Sequence, residues 1–229
     1  MAQSIIALDG PAAAGKTTVG QRLAKRLGWV FFDTGVLYRA LTWLAQRQGI
    51  GSSDAEALAG LAANMDVHVA PPSVADGRDV DVIVEGVDAT WQLRSEAVDR
   101  AVSAVAAVPA VRTALLPAQR RAVGGVSAVV SGRDIGTVVF PDARLKVYLD
   151  ASVVERARRR AEQLTAQGSA PATAEVANDL ARRDRLDSER AAAPLVAAPD
   201  AVRLPTDRLS VDDVVERVVE LWRARGDEA

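Results

Sequence analysis

The chain has 229 residues and a mass of 24.1 kDa, a natural size for one α/β domain with or without insertions. Its 49% of hydrophobic and 25% of charged residues exclude a disordered protein. The absence of cysteine excludes disulfides and thiolate catalysis, and a single histidine excludes zinc sites that need two imidazoles. With no apolar run of about 18 residues and no basic N-terminal segment, we expect no membrane span, no signal peptide and a cytoplasmic location.

The net charge of −2 and the pI near 5.6 argue against nucleic acid as a partner. The distribution of the basic residues is more informative. Only three of the 28 are lysines, and eight arginines fall between Arg156 and Arg190. Arginine is suited to forked recognition of phosphate. This segment is therefore either a phosphate-handling element or a solvated helix face.

Short apolar runs and helical patterns alternate along the first part of the chain. In order, they predict a buried strand over 4–9, a glycine-bounded loop over 10–15, a helix over 17–27 that ends at Gly28, a strand over 29–32, and helices over 36–48 and 54–64. This alternation is typical of βαβ units, in which parallel strands are joined by helices.

The pattern changes in residues 66–90. Valines at 67 and 69, and again at 80, 82 and 84, alternate with polar residues on either side of a Pro-Pro and Asp-Gly loop. Such alternation predicts a small antiparallel hairpin with one wet face. We interpret this segment as part of an insertion into the α/β chain.

The remaining sequence returns to helices and strands. In order, it predicts helices over 94–107 and 110–122, a strand over 126–130, a loop over 132–136, a strand over 145–149, a helix over 152–167, a linker over 168–171, a helix over 173–187, a strand over 201–204 and a helix over 211–225. The fold class expected from this order is α/β, with a parallel sheet that helices cover on both faces.

Residues 10–17 match the pattern G-x-x-x-x-G-K-[ST] between a predicted strand and a predicted helix. In such a loop, backbone N–H groups surround the β-phosphate, and the helix N-terminus adds positive partial charge. Lys16 would contact β- and γ-phosphate oxygens, and the Thr17 hydroxyl would hold Mg²⁺. The residues expected to bind the nucleotide are Gly10, Pro11, Ala12, Ala13, Ala14, Gly15, Lys16, Thr17 and Thr18.

A phosphate loop of this kind occurs in motors, switches and small kinases alike. The sequence has neither an Asn-Lys-x-Asp guanine reader nor a Leu-Ser-Gly-Gly signature, which argues against a GTPase and an ABC-type ATPase. It therefore favours a kinase of a small acceptor. A nucleotide-binding switch is the alternative from a different functional class.

A first polar motif, residues 33–39, directly follows the second predicted strand and so lies at the carboxyl edge of the sheet. There, Arg39 would bind an acceptor phosphate and Tyr38 would contact a base. In the alternative interpretation, Asp33 or Thr34 caps a helix and Tyr38 lies in the core.

A second polar motif, residues 132–137, follows the strand predicted over 126–130 and lies at the same edge. Arg133 would bind the acceptor phosphate, and the Asp134 carboxylate would contact the acceptor or hydrated magnesium. A structural ion pair within the loop is the alternative.

Two sets of charged residues in the Arg-rich segment share a helix face. They are Arg156, Arg159 and Arg160, and further along Arg183, Asp187 and Arg190. Beside a kinase site, the first set would form a lid that brings cations to the transferring phosphoryl group, whereas elsewhere it would be a solvated face. In the second set, two arginines held by one aspartate would make a fixed phosphate fork, and surface pairing is the alternative.

The chain resembles the bacterial cytidylate kinases, a family of nucleoside monophosphate kinases, over essentially its whole length. The carrying motifs are the phosphate loop, Asp-Thr-Gly-Val-Leu-Tyr-Arg at 33–39, the motif at 85–94, Gly-Arg-Asp-Ile-Gly-Thr-Val-Val at 132–139 and Arg-Asp-Arg-Leu-Asp-Ser-Glu-Arg at 183–190. The motifs at 33 and 132, together with the hairpin, distinguish this family from enzymes similar to adenylate kinase.

The resemblance implies a core with five parallel strands (about 1–33, 108–150 and 188–229), a monophosphate-binding domain (about 34–107) and an Arg-rich lid (about 151–187). It implies transfer from ATP, with Mg²⁺, to CMP or dCMP by a monomer; UMP or shikimate is the alternative acceptor. Lys16, Arg133, Asp134, Arg156 and Arg159 would act on the transferring group. The acceptor would be bound by Asp33, Thr34, Tyr38, Arg39, Ser103, Arg112, Arg133, Asp134, Arg183, Asp187 and Arg190.

Two positions depart from the family pattern. Ser131 stands where an acidic residue is usual, so no role of that carboxylate can be carried over. Ala13 stands in the phosphate loop where glycine is common, and we expect alanine to be tolerated there if its φ stays negative.

Overall fold

Contacts between residues divide the chain into two units. The computed structural model describes residues 3–166, 168–169 and 171–226. One unit comprises Met1–Asp33 and Arg120–Ala229 and is called the phosphate-loop unit. The other comprises Thr34–Gln119 and is called the insertion unit.

Within the described residues, eight strands and eight α-helices follow one another along the chain. The strands are β1 (Ile5–Asp9), β2 (Val30–Asp33), β3 (Val67–Ala70), β4 (Asp81–Val84), β5 (Val87–Asp88), β6 (Ala128–Ser131), β7 (Leu145–Asp150) and β8 (Val202–Pro205). The helices are α1 (Lys16–Leu27), α2 (Gly35–Arg47), α3 (Ala55–Asn64), α4 (Glu96–Ala107), α5 (Pro109–Arg121), α6 (Val153–Ala166), α7 (Thr173–Glu189) and α8 (Val211–Ala224). Short 3-10 and π-helical turns occupy Gln92–Arg94 and Ile135–Val139.

The phosphate-loop unit is built on a five-stranded parallel sheet in the order β2-β6-β1-β7-β8. At its centre, Ile6 of β1 is in register with Val129 of β6 and Leu145 of β7. β1 is buried along its whole length, as is typical of a parallel strand covered on both faces. Leu23 of α1 and Val218 of α8 belong to the apolar core on this sheet. The predicted α/β fold with a parallel sheet is confirmed.

The insertion unit contains the predicted hairpin, but its antiparallel sheet has three strands in the order β3-β4-β5. Val84 of β4 is in register with Val67 of β3 and Val87 of β5. The central strand β4 is mostly buried, with Val84 packed near Leu44 of α2, whereas β3 is mostly exposed. The exposed side chains therefore belong mainly to one strand, β3, whereas the prediction placed them on one face of both strands. β5 has two residues, too few to produce an alternation in the sequence.

Several predicted elements differ from the structure at their ends. The strand predicted over 126–130 begins at Ala128, and the helix predicted over 173–187 continues to Glu189. The helix predicted over 152–167 and the linker over 168–171 include Gln167 and Ala170, which lie outside the described residues. Residues 108–119, which the family resemblance placed in the core, belong to the insertion unit in the division by contacts.

Among the described residues, no single helix is long and apolar enough to cross a membrane. Only α4 and α5 taken together reach the necessary length and composition, and these two helices meet at an angle of 99°.

Candidate active site

The predicted phosphate loop connects β1 to α1 in the phosphate-loop unit. At its start, a Cβ on Gly10 would lie 2.1 Å from the carbonyl oxygen of Leu149, so only glycine fits against β7. Lys16 is buried, and its Nζ donates hydrogen bonds to the carbonyl oxygens of Gly10 (2.8 Å) and Pro11 (2.7 Å). In α1, which is described in full, no acidic residue lies in the first turn and no side chain caps it. The positive end of this helix is therefore not neutralised by its own side chains.

The Lys16 ammonium lies in an unfavourable environment for a charge. Burial, with the charge of Arg133, lowers its pKa well below the usual value, and Asp33, Asp9 and Asp187 oppose that effect. A phosphate bound in the loop would favour the charged form. The arrangement is therefore suited to an anionic ligand.

Thr17 is the predicted magnesium ligand, and its hydroxyl donates to a carboxylate oxygen of Asp33 at 3.3 Å. Hydroxyl and carboxylate oxygens are the ligand types that Mg²⁺ prefers. Among the described residues, no group of three or more His, Asp or Glu side chains could hold a metal ion alone. These side chains fit a magnesium ion that takes most of its ligands from nucleotide phosphates and water.

Ala13 does not meet the condition under which alanine was expected to be tolerated. Its φ is +60°, in the left-handed region, and not negative. The loop reverses direction within a few residues, and such a turn places residues in conformations that glycine adopts without strain. Alanine in this region costs about 1–2 kcal/mol.

Asp9, the last residue of β1, was not singled out from the sequence. It is 3% exposed, and its two carboxylate oxygens accept hydrogen bonds from the N–H groups of Ile135 and Gly136, each at 2.8 Å. Burial raises its pKa to about 6, with a smaller contribution from Asp134, although the two N–H groups act in the opposite direction. The available signal was an acidic residue at the end of a buried strand, directly before a phosphate loop.

Arg133 follows β6 and is brought together with Asp187 near the end of α7 and with Arg190 just beyond that helix. Its Nε donates to an oxygen of Asp187 at 2.8 Å, and Nη1 of Arg190 lies 3.7 Å from the other oxygen. Arg190 also lies 3.7 Å from Asp134. Burial alone would lower the pKa of Arg133, but Asp187, Asp33 and Asp184 raise it. The guanidinium groups of Arg133 and Arg190 thus face one carboxylate.

The fork suggested from the sequence consists of Asp187 with Arg183 and Arg190. In the structure, Arg190 lies against Asp187 as suggested, and Arg133, which was not part of that fork, donates to the same carboxylate. Nε of Arg183 lies 3.0 Å from Asp179, one turn earlier on α7. Arg190 lies just beyond the helix in an extended conformation, so helical spacing does not describe its direction.

The arginines of α6 are not a uniformly solvated face. Arg156 is 4% exposed, donates to the carbonyl oxygen of Ala12 in the phosphate loop at 3.1 Å and pairs with Asp184 at 2.7 Å. Arg159 donates to the side chain and carbonyl oxygen of Thr206 after β8. Arg156 thus lies at the phosphate loop. Asp184 and Thr206, which hold these arginines, carried no sequence signal because they belong to distant elements.

Within the insertion unit, Tyr38 and Arg112 lie together, with the guanidinium carbon 5.2 Å from the ring centre. Arg39 pairs with Asp99 at 2.7 Å and donates to the carbonyl oxygen of Leu93. Tyr38 is buried, as the core alternative proposed. Thr34 stands at the start of α2, but its side chain makes no capping hydrogen bond in this fully described helix. Ser103 is half-buried on α4.

Comparison with known proteins is consistent with this geometry. The family model described as "Cytidylate kinase" matches residues 6–224. The cytidylate kinase of Herpetosiphon aurantiacus is 50% identical over 216 residues, covering 94% of this chain and 93% of that protein. The cytidylate kinase of Roseiflexus castenholzii is 48% identical over 232 residues, covering 100% of this chain and 97% of that protein.

Longer relatives and more distant structures also match. A bifunctional pantoate ligase/cytidylate kinase of Synechococcus elongatus is 48% identical over 97% of this chain, which spans 42% of that relative. A crystal structure of an uncharacterized protein from Eubacterium ventriosum superposes with a TM-score of 0.50 at 11% identity, covering 96% of this chain and 98% of that one. This structural likeness concerns the fold alone. From the family match and the close relatives, the chain belongs to the cytidylate kinase family and is a phosphotransferase with a phosphate group as acceptor.

Proposed function

We propose that this protein transfers the γ-phosphoryl group of ATP to CMP or dCMP in a magnesium-dependent reaction. The bond between the γ-phosphorus and the β-phosphate oxygen breaks, a bond to an acceptor phosphate oxygen forms, and ADP and CDP or dCDP leave. The observation that carries the proposal is the position of Arg133 and Arg190 around Asp187 in the unit that also holds the phosphate loop.

On the donor side, we assign the triphosphate to the backbone of residues 10–18 and to Lys16. The Lys16 side chain already lies along the loop, and a triphosphate would relieve the burial of its charge. Arg156 bonds to the loop carbonyl of Ala12, which supports a role beside the transferring group. Arg159 is proposed to act with it from the same helix. Magnesium, held in part by Thr17, would neutralise phosphate charge when bound.

On the acceptor side, Arg133 and Arg190 are proposed to hold the monophosphate in line with the donor. Only Nε of Arg133 donates to a carboxylate among the described residues, so its terminal nitrogens remain suited to a phosphate. The further acceptor-binding residues that we propose are Asp33, Asp134, Arg183 and Asp187, and in the insertion unit Thr34, Tyr38, Arg39, Ser103 and Arg112.

The reaction requires positioning and charge stabilisation more than a general base, because the acceptor phosphate is already an anion. Lys16 and the arginines of α6 would stabilise the oxygens of the transferring group. Arg133 and Arg190 would align the acceptor. Exclusion of water by the α6–α7 segment would keep water from competing as the acceptor.

The test is ADP release by the purified protein with ATP and Mg²⁺. CMP, dCMP, UMP, AMP, dTMP and shikimate are offered separately beside a blank without acceptor, and each assay is repeated with excess EDTA. We expect turnover with CMP and dCMP well above every other well, and none with EDTA. Equal ADP release in all wells would indicate a bare ATPase and overturn the acceptor assignment, and preference for another acceptor would replace CMP.

A further inference from the structure

We propose that Asp9 is a positioning residue, which holds the acceptor loop (residues 132–136) at a set distance from the start of the phosphate loop. The inference rests on the proposed function, because it concerns how the donor and acceptor phosphates are aligned. Asp9 touches neither substrate in this proposal. It acts through the backbone of the acceptor loop.

Asp9 is attached to both the phosphate loop and the acceptor loop. Its backbone continues directly into Gly10, the first residue of the phosphate loop. Its side chain accepts hydrogen bonds from Ile135 and Gly136, which are more than 120 residues away in sequence. One residue thus links the loop proposed to bind the donor to the loop proposed to bind the acceptor.

The linkage leaves little freedom of movement. Both carboxylate oxygens are used, each at 2.8 Å, and the side chain is 3% exposed. A Cβ on Gly136 would lie 3.3 Å from an Asp9 oxygen and 3.0 Å from Cδ of Lys146, so the loop packs at a distance that suits glycine. At the start of the same loop, Gly132 donates to the carbonyl oxygen of Leu8, so β1 holds both ends.

The residues held in this way directly follow two of the proposed acceptor-binding residues. Arg133 and Asp134 precede Ile135 in the chain, and the carbonyl oxygen of Asp134 accepts bonds from Val138 and Val139 in the π-helical turn. Loss of the Asp9 bonds would therefore move Arg133 relative to Lys16. A misplacement of about 1 Å costs on the order of a hundredfold in rate.

The test compares Asp9→Asn with Asp81→Asn by steady-state kinetics at varied ATP and CMP, together with thermal unfolding. An amide can accept with only one atom and turns an NH₂ group toward the second N–H. Asp81 is a matched control, since it is also buried and accepts a backbone N–H, from Ser73, but lies in the insertion unit. We expect Asp9→Asn to lower kcat roughly 10- to 100-fold, with the KM for ATP nearly unchanged and Asp81→Asn near wild type.

A second variant and a second readout keep the test decisive. Gly136→Ala leaves the Asp9 carboxylate in place but crowds it, and we expect a decrease in kcat of roughly three- to tenfold. If Asp9→Asn does not fold, Gly136→Ala is the variant that tests the inference. Hydrogen exchange at the amides of 135 and 136 should accelerate in the Asp9 variant and not in the Asp81 variant. Normal kcat in a folded Asp9→Asn protein would overturn the inference. A wild-type protein without acceptor-dependent turnover would instead overturn the proposed function, and amide exchange would still decide whether Asp9 holds the loop.

Discussion

Two arginines, one in each unit, are bound to aspartates in contrasting ways. The side chain of Arg78, in the insertion unit, is 7% exposed and donates to three carboxylates, those of Asp76, Asp81 and Asp88, at 2.7–2.9 Å. Trp91 adds a hydrogen bond to Asp76. Hydrogen bonds, with the charge of Arg78, lower the pKa of Asp76 and Asp81, and that of Asp88 to about 2. All three nitrogens of this guanidinium are engaged.

Arg133 of the phosphate-loop unit is bound less completely. Its side chain is 28% exposed, and among the described residues Asp187 is the only carboxylate that accepts a hydrogen bond from it. Nearby, Asp9 and Lys16 have pKa values shifted toward their neutral forms, since burial opposes their charges. A fully paired arginine is typical of structural stabilisation. An incompletely paired arginine beside buried groups whose charges are disfavoured is typical of a site that receives a ligand.

Arg133→Ala should produce the largest effect. We expect kcat/KM for CMP to fall on the order of a hundredfold or more, because a charge-stabilising and aligning group is lost. The midpoint of thermal unfolding should change by only a few degrees, because one hydrogen bond to Asp187 is lost. ADP release with CMP and a thermal melt measure both quantities. A folded variant with near-normal turnover would contradict the assigned role.

The dependence of stability on pH should differ between wild type and Asp9→Asn. The folded-state pKa of Asp9 is raised from 3.8 to about 6, so its ionisation opposes folding, and wild-type stability is lost as pH rises through this window. Relative to wild type, the free energy of unfolding of the variant should therefore increase by up to about 3 kcal/mol between pH 4 and pH 7. Urea unfolding at both pH values measures it. The pKa of Asp81 is lowered, so this carboxyl group is ionised in both states between pH 5 and 7. The difference in free energy of unfolding between Asp81→Asn and wild type should therefore be constant over that range.

Arg78→Ala should have the opposite profile to Arg133→Ala. Removal of the guanidinium leaves three carboxylates close together, and we expect the thermal midpoint to fall by about 5 °C. Activity per folded molecule should be unchanged. Arg78→Lys, which keeps the charge but not the fork, should have an intermediate melting temperature. Loss of kcat in folded Arg78→Ala would show that the cluster contributes to function as well as structure.

Ala13→Gly should have the smallest effect. Relief of the left-handed conformation is partly offset by the greater entropy of glycine in the unfolded chain, so we expect stabilisation of up to about 1 kcal/mol. Ala14→Gly is the matched control. It is buried, is not among the residues with positive φ, and should destabilise the protein instead. Chemical denaturation measures the free energy of unfolding of both variants. A change of the same sign in both variants would contradict the strain at Ala13.

The local sequence was sufficient to predict most of the strands and helices and the position of the phosphate loop. The helix predicted to end at Gly28 does so, with Gly28 at φ +69°, and Lys16 lies within the loop as its motif indicates. The partners of Arg133 and Arg156 were beyond such reasoning. Asp187 lies 54 residues from Arg133, and Ala12 lies 144 residues from Arg156. β5 was missed because two residues hold no periodicity.

The sequence by itself determined the alternation of strands and helices and the phosphate loop, because each depends on residues within about one turn or strand of one another. The tertiary structure alone decided that Asp187 is shared by Arg133 and Arg190, and that Asp9 holds residues 135 and 136. The physical reason is the parallel sheet. It brings the ends of β1 and β6 side by side, although the chain between them is more than 100 residues long. Hydrogen bonds across that distance leave no periodic trace in the sequence.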